Sequence, residues 1–169
     1  MFELLSLIFG ICIFKKGPQD IPASKVLIQL LIPVYAVISF LMLILSTDWY
    51  SAFLQVAVEI LLILCLCWAI LLIANQAARY QQTVCALLAT DALISFIALP
   101  SMATLIGQGA GLAYLAIILL MVWHWAITGH IFSQALDRPI AFGLAVSFMY
   151  ILTTYQVMGT LFPATVLME

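Results

Sequence analysis

Three ionisable side chains stand inside long apolar runs of this chain: Glu59, Asp91 and His124. A charge at the centre of a bilayer costs roughly 2.5–3.5 kcal/mol on insertion scales. Such groups are therefore expected to face a bundle interior or a water-filled cavity, and to pair. Asp91 lies eight residues into its apolar run, and His124 lies eight residues before the end of its own at Phe132. At about 1.5 Å per residue both come to roughly 12 Å below the same surface, which makes them a candidate intramembrane polar pair. Two roles fit that pair. One is a proton relay or ion path; the other is a hydrogen-bonded clamp between two spans, with one group neutral. Ser95 and Thr128, each one turn away, are the obvious polar additions. Glu59 falls in the opposite half of the membrane. It is expected to be a lone intramembrane acid, unpaired or protonated, because desolvation disfavours a charged carboxylate.

Other chemistry is poorly supported. His124 and His130 are six residues apart, about 240° on a helix, whereas a helical metal pair needs a spacing of about three or four. No metal, haem or other cofactor is expected. Trp123 and Trp125 bracket His124 and point in roughly opposite directions; they read as packing residues, with one shielding the imidazole and the other facing lipid as the alternative. Cys12, Cys65, Cys67 and Cys85 fall in or beside apolar runs and read as small buried residues. The chain lacks a G-x-S-x-G elbow, an H-E-x-x-H pair and a phosphate-binding glycine loop. It is therefore not expected to be an enzyme. It has no basic patch for nucleic acid.

The elements that carry these residues follow from composition. Of 169 residues, 67% are hydrophobic and 7% charged; a soluble domain is about a quarter charged. The expected fold is all-α, an integral membrane bundle of about five transmembrane helices with an N-terminal interfacial helix. Residues 1–22 form that helix and a loop, and 23–169 form the membrane domain. The N-terminal helix (1–14) is too short to span and is expected to lie on the membrane, with a re-entrant course as the alternative. Glu3 near the start and lysines after the apolar run argue against a secretory signal.

The spans are expected at about 23–46, 51–74, 83–104, 112–132 and 140–162. The stretch Ala113–Pro139, with both histidines, is the one around which the others are arranged; its segment from Ser133 reads as a helix-ending loop. Gly107–Gly111 reads as a flexible turn. In the last span Gly143, Ser147, Tyr150, Thr154 and Met158 share one face, which marks a helix-packing surface.

With five spans, the basic residues Lys15, Lys16, Lys25, Arg79 and Arg138 all fall on one side. The positive-inside rule makes that side cytoplasmic, with the N-terminus inside and the C-terminus at Glu169 outside. The stretches Ala89-Thr90-Asp91-Ala92, Leu99-Pro100 and Trp123-His124-Trp125-Ala126-Ile127-Thr128-Gly129, followed by a short turn into the last span, resemble the Yip1-domain membrane proteins. The Tyr-Gly-Pro type motif of eukaryotic members is missing, since no tyrosine precedes Gly17-Pro18. The resemblance implies five spans, a cytoplasmic N-terminus and no enzymatic activity. The sequence thus leads to a non-enzymatic multi-pass protein of the bacterial inner membrane. It is expected to be a structural or accessory component in contact with lipid and with other membrane proteins or itself. The alternative is a small proton- or ion-coupled carrier using Asp91 and His124.

Overall fold

The computed structural model describes residues 2–108 and 111–163. It is all-helical, with no strand among the described residues. Among the described residues six helices follow in chain order: α1 (Phe2–Cys12), α2 (Lys25–Leu43), α3 (Trp49–Ile73), α4 (Tyr80–Gln108), α5 (Gly111–Leu136) and α6 (Ile140–Leu161). Short 3-10 turns occupy Pro18–Asp20 and Ala77–Arg79. Helices α2 to α6 are each long and apolar enough to cross a membrane, which gives the all-α, five-span fold class and a multi-pass membrane architecture.

Three sequence expectations about the fold need correction. The central helix is α4, not the histidine-bearing α5. About two thirds of its apolar stretch is buried (67%), against 17–22% in the other four. From Thr83 to Ala92 every residue is buried, and Thr83, Cys85, Ala86, Ala89, Thr90 and Ala92 are small. Small side chains let backbones approach in an apolar solvent, where hydrophobicity itself does not drive helices together. Second, Ser133–Leu136 is not loop but the last turn of α5, with Ser133, Ala135 and Leu136 buried. The Gly107–Gly111 turn is also shorter than expected: Gly107 and Gln108 continue α4 and Gly111 opens α5. Gly109 and Ala110 lie outside the described residues, as does the terminal Glu169.

Helix α1 packs Ile8, Ile11 and Cys12 into the core. Its end lies against the middle of α5, where the Trp123 indole donates to the Cys12 carbonyl at 3.1 Å. The starts of α2 and α3 are capped by side chains. Ser24 accepts from the Leu27 amide at 3.4 Å, and Asp48 from the Ser51 amide at 2.9 Å; the latter bond holds the Asp48 carboxyl below its ordinary value. This satisfies amides that have no partner in the first turn. At the other ends, α1, α3 and α5 each stop at a left-handed residue, Phe14, Asn75 and Asp137 (φ 61°, 56° and 52°). A six-residue closing bond follows each: Lys15 to Gly10, Gln76 to Leu71 and Arg138 to Ser133. This is a Schellman-type stop made without glycine.

Those ends cluster. Arg79 reaches from the α3–α4 loop and donates to the Gln134 and Ala135 carbonyls at 2.9 and 3.2 Å, and to the Asp137 carboxylate at 2.7 Å. The Gln19 side chain donates to Gln134 at 3.2 Å, and Gln82 donates to the Gln19 and Ile21 carbonyls. The N-terminal loop, the α3–α4 loop and the α5–α6 loop thus meet at one end of the bundle. Arg79 supplies partners to carbonyls that the end of α5 leaves open, and its charge suits the negative end of the helix. Arg79→Ala should therefore lower the stability of the solubilised protein by about 1–2 kcal/mol.

The pH dependence of the clamp is separable. Arg79 holds the Asp137 carboxyl below its ordinary value. A depressed carboxylate stabilises above the ordinary range near pH 4, and the benefit fades as pH falls through the lower folded value. The melting difference between wild type and Asp137→Asn should be level from neutral pH to about pH 5, then shrink towards zero in acid. A difference independent of pH would sink this assignment.

Candidate functional site

All five long helices bring polar groups to one cavity of about 290 Å³. Tyr35 comes from α2, Glu59 from α3, Asp91 from α4, His124 from α5, and Tyr150 and Thr154 from α6. The lengths of the helices explain why they meet. Asp91 lies three residues from the middle of α4, Glu59 two from the middle of α3, and His124 at the middle of α5. Glu59 therefore lies at a level of the bundle close to that of Asp91 and His124, and lines the same cavity. The expected span starting at 51 omits the first turn of α3, which Asp48 caps from outside. The expected end of α5 at 132 likewise cuts off its last turn. With the full helices counted, the three depths converge.

Within the cavity the structure brings Asp91 and His124 together. His124 Nε2 lies 3.0 Å from Asp91 Oδ1. The distance suits an ion pair, but the groups are poorly aligned for a hydrogen bond, and neither atom has another partner. Thr128 Oγ1, one turn along α5, is also buried without a partner. The His124 side chain is 34% exposed and that of Asp91 only 11%.

Glu59 is not alone either. The buried Tyr35 hydroxyl donates to Glu59 Oε2 at 3.2 Å. Sequence reading overlooked Tyr35 and placed Tyr150 only on a helix-packing face. The available signal was a phenol inside an apolar run, since a buried tyrosine hydroxyl usually finds a partner. The Tyr150 ring is held edge-on against Phe132, with centroids 5.6 Å apart.

The flanking aromatics serve packing. Neither indole simply screens His124 or faces lipid: both are half-buried and hydrogen-bonded, Trp123 to Cys12 and Trp125 to the Leu144 carbonyl at 3.1 Å. His130 stands apart from the cavity. Its Nε2 is 2.9 Å from the Lys16 carbonyl, and its ring meets Phe14 edge-on. Ser95 is half-buried on α4 and does not line the cavity.

Packing around the cavity is asymmetric. Towards the loop cluster, Thr83–Ala92 of α4 and residues such as Ile127, Ile131 and Phe132 of α5 form a dense buried layer. Towards the other end, Phe96 and Ile97 of α4 and Leu115, Ile118, Leu119 and Val122 of α5 are exposed. Glu59, Asp91 and His124 do not converge on one point, and among the described residues no three side chains are placed to hold a metal ion. Two carboxylates and an imidazole at this depth can exchange protons or balance the charge of a small cation. No protein-family model, curated protein or solved structure matches the chain.

Proposed function

We propose that the protein is a small proton- or cation-coupled carrier, with the mid-bundle cavity as its binding site. One observation carries this reading: residues from all five spans, including Glu59, Asp91 and His124, line a single cavity. Each ionisable group costs several kcal/mol at that depth. A packing role would be met at lower free energy by apolar side chains, since replacing a buried ion pair with hydrophobic residues is often neutral or stabilising. The buried layer towards the loop cluster would act as the inner gate. The decisive test is flux. Proteoliposomes carrying the wild-type protein should dissipate an imposed pH gradient faster than empty liposomes, with a rate that depends on the alkali cation or small amine supplied. Equal rates across such a panel would end the carrier reading.

A second reading, a non-enzymatic structural or accessory component of a membrane complex, draws on the cross-helix ties. Asp91 and His124 join α4 to α5, and Tyr35 and Glu59 join α2 to α3. For orientation, we propose that the loop-cluster end is cytoplasmic, because Lys15, Lys16, Lys25, Arg79 and Arg138 all belong to segments that lead into it. The short loops and the Yip1-domain resemblance support a bacterial inner membrane as its location.

A further inference from the structure

Two apolar grooves flank the first half of α6, and they share one residue, Arg138. The larger, about 750 Å³, lies between α3 and α6 and runs from Gln76 and Arg138 to Thr153. The smaller, about 610 Å³, lies between α5 and α6. Phe142 and Met149 in the larger groove are half exposed, so it is open to the outside of the bundle. From Phe142 to Thr153 the groove follows eleven residues of helix, about 16 Å. That is one leaflet's share of a hydrocarbon core about 30 Å thick.

Arg138 is placed where a lipid headgroup would be. Its backbone is fixed by the Ser133 hydroxyl, which donates to its carbonyl at 2.7 Å, and by its own amide bond to the Ser133 carbonyl at 3.0 Å. Its guanidinium makes no ion pair among the described residues, because the neighbouring Asp137 is engaged by Arg79. A cation thus stands at the junction of two apolar grooves, the larger of them long enough for an acyl chain. We infer that this is a binding site for an anionic diacyl phospholipid, with the phosphate on Arg138 and one acyl chain in each groove. A zwitterionic lipid carries its own cation beside the phosphate and gains less from the arginine. Free phosphate has nothing to place in the grooves. This inference does not depend on the cavity or on the carrier reading.

Native mass spectrometry of the full chain in detergent tests it, with phosphatidylglycerol and phosphatidylcholine of matched chains as probes. Phosphatidylglycerol should be retained about fivefold over phosphatidylcholine, as expected for one basic residue near the headgroup. Arg138→Gln should erase that preference, and Arg138→Lys should keep part of it. Ala145→Trp, on the exposed face lining the larger groove, should lower phosphatidylglycerol retention without altering charge. Inorganic phosphate should not displace the lipid. Equal retention of the two lipids, an unaffected Arg138→Gln or Ala145→Trp variant, or displacement by phosphate would each overturn the proposal.

Discussion

Gly143→Leu should leave little protein that survives extraction as a single folded species, and Gly143→Ala should cost about 1–3 kcal/mol. The reason is backbone contact. A Cβ at Gly143 would overlap the carbonyl oxygen of Gly129 and lie 2.7 Å from the backbone nitrogen and Cβ of Ser133. Neither backbone atom can rotate away, so α5 and α6 must separate. Their separation would also strain the bonds that Ser147 donates to the Trp125 carbonyl at 3.3 Å and that Trp125 donates to Leu144. Alanine gains about 1 kcal/mol of helix propensity over glycine, which offsets only part of the overlap.

The other glycines of this pair of helices grade the effect. A Cβ at Gly129 would meet mainly the flexible end of Leu144, at 2.6 Å, and one at Gly159 would meet nothing within 4 Å. Gly129→Ala should therefore be milder, and Gly159→Ala neutral or slightly stabilising. Heating solubilised variants and recording the surviving monodisperse fraction would rank them. If Gly143→Ala survived as well as Gly159→Ala, the close approach of α5 and α6 would be wrong.

Asp91→Asn should reduce flux through the reconstituted protein at least tenfold while changing stability by less than about 1 kcal/mol. Asparagine preserves the size of the side chain and can still meet His124 Nε2 across 3.0 Å, but it can neither take up a proton nor balance a cation. Polar contacts between helices in a membrane average only about 0.6 kcal/mol, because the separated helices also find partners. The folding cost is small and the transport cost large only if the pair works on an occupant of the cavity. Glu59→Gln, which keeps a partner for Tyr35, should behave in the same way. The opposite pattern, lost stability with unchanged flux, would favour the clamp between α4 and α5 and remove the main support for the carrier.

The Asp91–His124 meeting was legible because depth along a span is a local count, and both residues could be measured from the same surface. Glu59 was misplaced by the same method for a local reason: Asp48 caps α3 from outside the apolar run and extends the helix beyond it. A boundary error of two residues moves a side chain by about 3 Å, and errors at several helix ends together displaced Glu59 from the pair. Tyr35 escaped notice because an isolated tyrosine in an apolar run has no spacing to pair it with a carboxylate twenty-four residues away.

The sequence by itself determined the solvent, the number of long helices and the grouping of basic residues on three loops, because apolar length and charge are set residue by residue against a bilayer of known thickness. Only the tertiary structure decided that α4 is the centre, that Arg79 closes the end of α5, and that Glu59 shares a cavity with Asp91 and His124. The physical reason is that lipid and helix interior are equally apolar. Hydropathy cannot tell a face turned to lipid from one turned to a neighbouring helix. That choice rests on close approach between small residues far apart in the chain, as where Gly143 meets the backbone of Gly129.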